Sequence, residues 1–167
     1  MSTVEKIIEK LFNLIEGLLA LLLLLMVLNV SYDVIMRYFF HNSSVAMQEL
    51  EWHFFATIIL FGISVGLQKE THVRVDFLFE RLSQRMQAMI NILGTLFFLI
   101  PLALLITTGS LSFVYDAWVI GEISEDPGGL PYRWLIKGMI PLSFSLLIIS
   151  ALGYLFRQVR SFQEAKK

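Results

Sequence analysis

The chain has 167 residues, 56% of them hydrophobic and 16% charged, with 14 Phe, an apolar share above that of ordinary soluble domains that makes the bilayer its natural solvent. Its 13 basic and 14 acidic residues leave a formal net charge of -1, without the basic excess of a nucleic-acid binder. The absence of cysteine excludes disulfides, iron–sulfur clusters and thiolate metal sites, and three isolated His residues are a thin basis for any other metal centre, so no cofactor is expected.

Four apolar segments approach the roughly 20 residues needed to cross a hydrocarbon core of about 30 Å, at residues 14–38, 52–67, 89–114 and 134–156. They lack the polar alternation of a barrel, and lipid offers no partner to exposed backbone groups, so each is predicted to be a helix. The first resembles a secretion signal in having Lys6 and Lys10 ahead of GLLALLLLLMVL. Glu5 and Glu9 dilute that basic flank, however, and the apolar run continues without a small-residue cleavage site, which predicts an uncleaved membrane helix. The second segment is the shortest, and QELEWH before it fits the outer interface. Pro101 in the third and Pro141 in the fourth remove backbone bonds and predict kinks.

Between segments two and three lies KETHVRVDFLFERLSQR, residues 69–85, rich in charge within an apolar chain. Val75, Leu78, Phe79, Leu82 and Met86 follow helical spacing, and an unpaired strand beside lipid would strand its backbone groups. A short amphipathic helix is therefore expected at residues 76–85, capped by Asp76, with Arg81 and Arg85 reaching headgroups or a partner. An ordinary basic loop is the simpler alternative. The whole is read as one all-α integral membrane domain, residues 1–167, with four transmembrane helices and this interfacial helix. Ten of the 13 Lys and Arg fall on the two termini and the middle stretch, leaving Arg37, Arg133 and Lys137 on the other side, so both termini are expected in the cytoplasm.

The ordered set DVIMRYFF, QELEWHFF, LFGISVGLQKETHVRVDFL and GGLPYRWLIKGMIPL resembles the small membrane subunit of tripartite ATP-independent periplasmic (TRAP) transporters over nearly the whole chain. The resemblance implies an accessory role in the bacterial inner membrane. The small subunit would brace a large, separate membrane subunit that carries the sodium and substrate sites. A periplasmic binding protein would deliver an organic acid.

Individual residues are candidates for partner contact or helix anchoring. Asp33 and Arg37, four apart on helix one, share a face in the favourable acid-first order, which suits a local pair, a contact with the large subunit or, more remotely, an ion relay. Glu49 and His53 also share a face while Glu51 points elsewhere; an acidic interface near a helix start or docking of the binding protein are the options. SEDPGGLPYRW is the most turn-rich stretch, and Asp126 lies within its acidic surroundings just ahead of Arg133; Pro131 is placed to open the next helix. It has no strand and no Gly-Lys-Ser/Thr, so it is no phosphate loop. Neither paired broken helices nor an internal repeat suggests a self-contained transporter. Two further classes compete: a homo-oligomeric channel or exporter lined by Asp33, and a haem-bearing membrane cytochrome, for which only His53 lies near a helix.

Overall fold

A chain with so few polar residues in its long runs satisfies its backbone within helices. A computed structural model describes residues 3–69, 79 and 81–164, with side chains from Ile7 onward. It has four helices long and apolar enough to cross a membrane: α1 (Thr3–Phe39), α2 (Val45–Gln68), α3 (Gln84–Val119) and α4 (Arg133–Glu164). Each contains one of the apolar segments and extends beyond it. With 37 residues, α1 is about 55 Å long, well over the hydrocarbon thickness of about 30 Å.

Polar contacts at both ends make successive helices antiparallel. Asn29 of α1 donates to the Met47 carbonyl at the start of α2 (2.9 Å), and Lys69 after α2 pairs with Glu16 of α1. At the same end as Lys69, Gln84 of α3 reaches Ser161 of α4 (3.3 Å), and Asn91 donates to Gln158 (3.0 Å). The helix order around the bundle follows from packing: α1 lies along α2, while α2 and α3 both pack on α4, which is the spine. In the most apolar stretch of α4 33% of residues are buried, against 6% in α1, so α1 presents nearly all its leucines outward.

What is inside is small. Ser64 of α2 and Ser143, Ser150 and Ala151 of α4 are almost wholly buried, as are Ala103 and Ala117 of α3. Ser64 Oγ donates to the Ser143 carbonyl (3.3 Å) and Ser150 Oγ to the Ser64 carbonyl (2.9 Å), so α2 and α4 approach closely with their hydroxyls satisfied across the seam. This follows membrane packing: lipid already solvates large apolar side chains, and helix contact is gained through small residues and interhelical hydrogen bonds. Leu67, Leu147 and Tyr154 complete the core with Ala103 and Ala151.

Two expectations are modified. Of the amphipathic helix expected at residues 76–85, residues 76–78 and 80, Asp76 included, lie outside the described residues. Residues 81–83 are non-helical, and Ser83 Oγ accepts from the Met86 amide (3.4 Å) as the cap of α3, so Gln84 and Arg85 belong to the first turn of that spanning helix. Pro131 does not open α4, which begins two residues later at Arg133. In α3 the turn Thr95–Leu99 is a π-helix immediately ahead of Pro101, which has no N–H to offer the preceding turn.

Candidate functional site

The loops joining α1 to α2 and α3 to α4 meet at one end, and at their junction lies Glu49, one turn into α2 and only 5% exposed. A carboxylate there needs donors on every side, and the 120–132 loop and the first residue of α4 supply them. Ser124 Oγ donates to Oε1 (2.5 Å), the Leu130 amide to Oε2 (2.5 Å), and Arg133 Nη2 to Oε1 (2.7 Å). Arg133 also donates to Ser124 Oγ (3.1 Å), which accepts the Asp126 amide as well (3.2 Å). One buried anion thus ties the start of α2, the loop and the start of α4 together.

The local sequence explains how the loop can do this. Asp126-Pro127-Gly128-Gly129 forms a turn closed by the Gly129 amide on the Asp126 carbonyl (3.0 Å), with Pro at its second position and Gly128 at φ +82°, a conformation open to glycine. Gly129 is required for a different reason. A Cβ there would stand 2.3 Å from Ser124 Oγ and 2.8 Å from Glu49 Oε2, inside the carboxylate cradle. The Ser124 amide donates to the Leu130 carbonyl (3.1 Å), and Arg133 donates its backbone N–H to the Glu122 carbonyl (3.0 Å), which folds the loop back on itself. Lys137, one turn further along α4, pairs with Glu122 and lies 3.9 Å from the Phe113 ring centroid.

Aromatic side chains surround this end. All three Trp residues are here, Trp52 beside the Arg133 guanidinium at 5.5 Å and tilted against the His53 ring, Trp118 at the end of α3 and Trp134 at the start of α4. Such a girdle marks a membrane–water interface. Tyr132, held at φ +62°, precedes α4 directly.

Of the candidate residues, the structure brings together Glu49, Arg133 and, through Ser124, Asp126. Glu49 is buried in the clamp and so is not part of an exposed acidic surface. His53 directs Nδ1 at the Glu49 backbone carbonyl (2.5 Å), half-buried beside Trp52. Asp33 is buried on α1 and paired with Arg37, whose own side chain is half-exposed near the end of the helix. Arg81 is exposed, and Arg85 lies 4.9 Å over the Phe162 ring, both at the opposite end from Glu49. Sequence reasoning missed Ser124, the Leu130 amide and Gly129. The SEDPGG turn was visible as a turn, but nothing local tied it to a carboxylate 75 residues earlier. Among the described residues there is no group of three or more His, Asp or Glu able to hold a metal ion.

The family model for tripartite ATP-independent periplasmic transporters, DctQ component, matches residues 26–161. The chain belongs to this family. The match runs from the middle of α1 almost to the end of α4 and so includes the whole Glu49 clamp. A search of curated proteins found no match. DctQ proteins are transporter components and not enzymes; the four spanning helices and the buried carboxylate clamp described above are therefore those of a TRAP small permease component. A DctQ chain is one of three parts, which implies association with a larger membrane subunit and a periplasmic binding protein.

Proposed function

We propose that this DctQ chain braces the large sodium-coupled subunit of a TRAP transporter during uptake of an organic acid delivered by a periplasmic binding protein. The observation that carries it is the distribution of polar groups. The buried carboxylates, Glu49 and Asp33, are satisfied within the chain near one end by Arg133 and Arg37, and the bundle centre between α2 and α4 is sealed by Ser64, Ser143 and Ser150. A closed, internally neutralised bundle is suited to resisting movement. An ion path would need polar groups lining a route through the centre.

The positions of Lys and Arg support an orientation with the Glu49 clamp on the periplasmic side and both termini in the cytoplasm. Reporter fusions after Lys167 are expected to read cytoplasmic and insertions at Gly128 periplasmic; the inverse pattern overturns the orientation. Reconstitution tests the function. Liposomes with a sodium gradient, the binding protein and the large subunit are expected to take up substrate only when this chain is present, and this chain alone is expected to take up none. Uptake by this chain alone refutes the accessory role, and full uptake without it refutes the bracing role.

A further inference from the structure

At the end where α1 begins and α4 finishes, the helices part. α1 and α4 each pack on α2, and with the end of α2 they line a cleft of about 1030 Å³. Its walls are apolar, with Ile8 and Phe12 on α1 and Ile149, Leu152 and Phe156 on α4, the last of these 78% exposed. Its mouth is charged with both signs. Lys69, which pairs with Glu16, and Arg157 line it together with Glu9 and the Arg160–Glu164 pair. At its floor sits Gln68, whose Oε1 is buried and has no hydrogen-bond partner among the described residues, while Arg157 Nη2 donates to the Gln68 backbone carbonyl (3.1 Å). Opposite Gln68 is Gly153, where a Cβ would stand at an ordinary 3.6 Å from that amide oxygen.

We propose that this cleft is a binding site for a phospholipid whose headgroup carries a phosphate and a primary ammonium. The acyl chain lies against Leu152 and Phe156, exposed apolar surfaces that hydrocarbon solvates well. The phosphate faces Arg157, Arg160 and Lys69, and the ammonium donates an N–H to Gln68 Oε1 near the carboxylates of Glu9 and Glu164. A buried acceptor is costly when unpaired, and an ammonium is the headgroup element that satisfies it with a charge-assisted bond. The mixed signs at the mouth fit a zwitterion better than a head of net negative charge, which would meet Glu9 and Glu164. A quaternary ammonium has no N–H to offer. The site is therefore selective for a primary over a quaternary head on the same acyl chains. This inference is independent of the bracing role.

The test compares phosphatidylethanolamine, phosphatidylcholine and phosphatidylglycerol, all dioleoyl, added to the full chain in detergent micelles and read by native mass spectrometry. The ethanolamine lipid is expected to be retained about tenfold more than the choline lipid, the worth of one charge-assisted hydrogen bond. Gln68→Leu is expected to erase that difference without lowering the melting temperature in lipid-free micelles, because it replaces an unpaired buried acceptor with an apolar side chain of similar size. A photo-crosslinking residue in place of Leu152, in membranes containing the complete transporter, is expected to label lipid. Equal retention of ethanolamine and choline lipids, stronger retention of the glycerol lipid, persistence of the preference in Gln68→Leu, or a crosslink from position 152 to a polypeptide would each overturn the proposal.

Discussion

At the end that carries the 40–44 and 120–132 loops, α2, the loop and α4 close on one buried carboxylate, whereas at the end that carries Lys69 and the finish of α4, two helices diverge around an open cleft. The charges differ in the same way. Glu49 and Arg133 have side chains 6% and 24% exposed, while Arg160 and Glu164 at the other end are 73% and 63% exposed. A buried ion pair couples whatever it touches, because losing one partner strands the other away from water; an exposed pair exchanges freely with solvent and holds little. Among the described residues, one end of this DctQ chain closes on a buried anion and the other carries exposed charge around a cleft.

Removing the buried partner breaks that contrast most directly. Glu49→Ala leaves Arg133, Ser124 Oγ and the Leu130 amide without their acceptor, and is expected to cost about 3–5 kcal/mol, measured by denaturant unfolding in micelles. Arg133→Ala is expected to cost a similar amount. The double variant should cost less than the sum of the two, since each single change already destroys the same interaction. An additive result would mean that the two residues act separately, and the clamp would lose its meaning.

Glycines at the two ends sharpen the comparison. Gly129→Ala drives a Cβ into Ser124 and Glu49 and is expected to destabilise by about 1–3 kcal/mol. Gly153→Ala, at the cleft, places its Cβ at an ordinary 3.6 Å from Gln68 Oε1 and gains helix propensity, so stability is expected to be unchanged or to rise by up to about 1 kcal/mol. Thermal melts of the two variants side by side decide it; equal losses would contradict the difference between the ends. The smallest effect belongs to Arg160→Ala, which removes an exposed pair four residues apart on α4 and is expected to shift stability by no more than about 0.5 kcal/mol.

The fold was largely legible because its determinants are local. Predominantly apolar segments approaching twenty residues can cross lipid only as helices, and four of them in residues 14–156 were enough to name the class. Where the residues between runs are polar, local pattern was less informative. The helical spacing around Leu82 and Met86 suggested a continuous helix to Arg85, yet Ser83 interrupts it, since a serine hydroxyl can turn back to cap the next helix as readily as point outward. Pro131 looked like a helix opener by composition, but the loop needs its segment extended so that the Leu130 amide reaches Glu49.

Sequence by itself determined that this chain is helical, that it belongs with membrane proteins and that its ordered motifs resemble a TRAP small subunit, because hydropathy, backbone satisfaction and motif order are properties of contiguous residues. The pairing of Asp33 with Arg37 was readable for the same reason, a spacing of four on one helix. Only the tertiary structure decided that Glu49 faces inward to Ser124, Leu130 and Arg133, partners 75 to 84 residues away. It alone decided, too, that α1 and α4 part around Gln68. A carboxylate near a helix start looks the same in sequence whether it meets water or a folded loop, and the difference arises only when distant segments pack and one of them brings the donors.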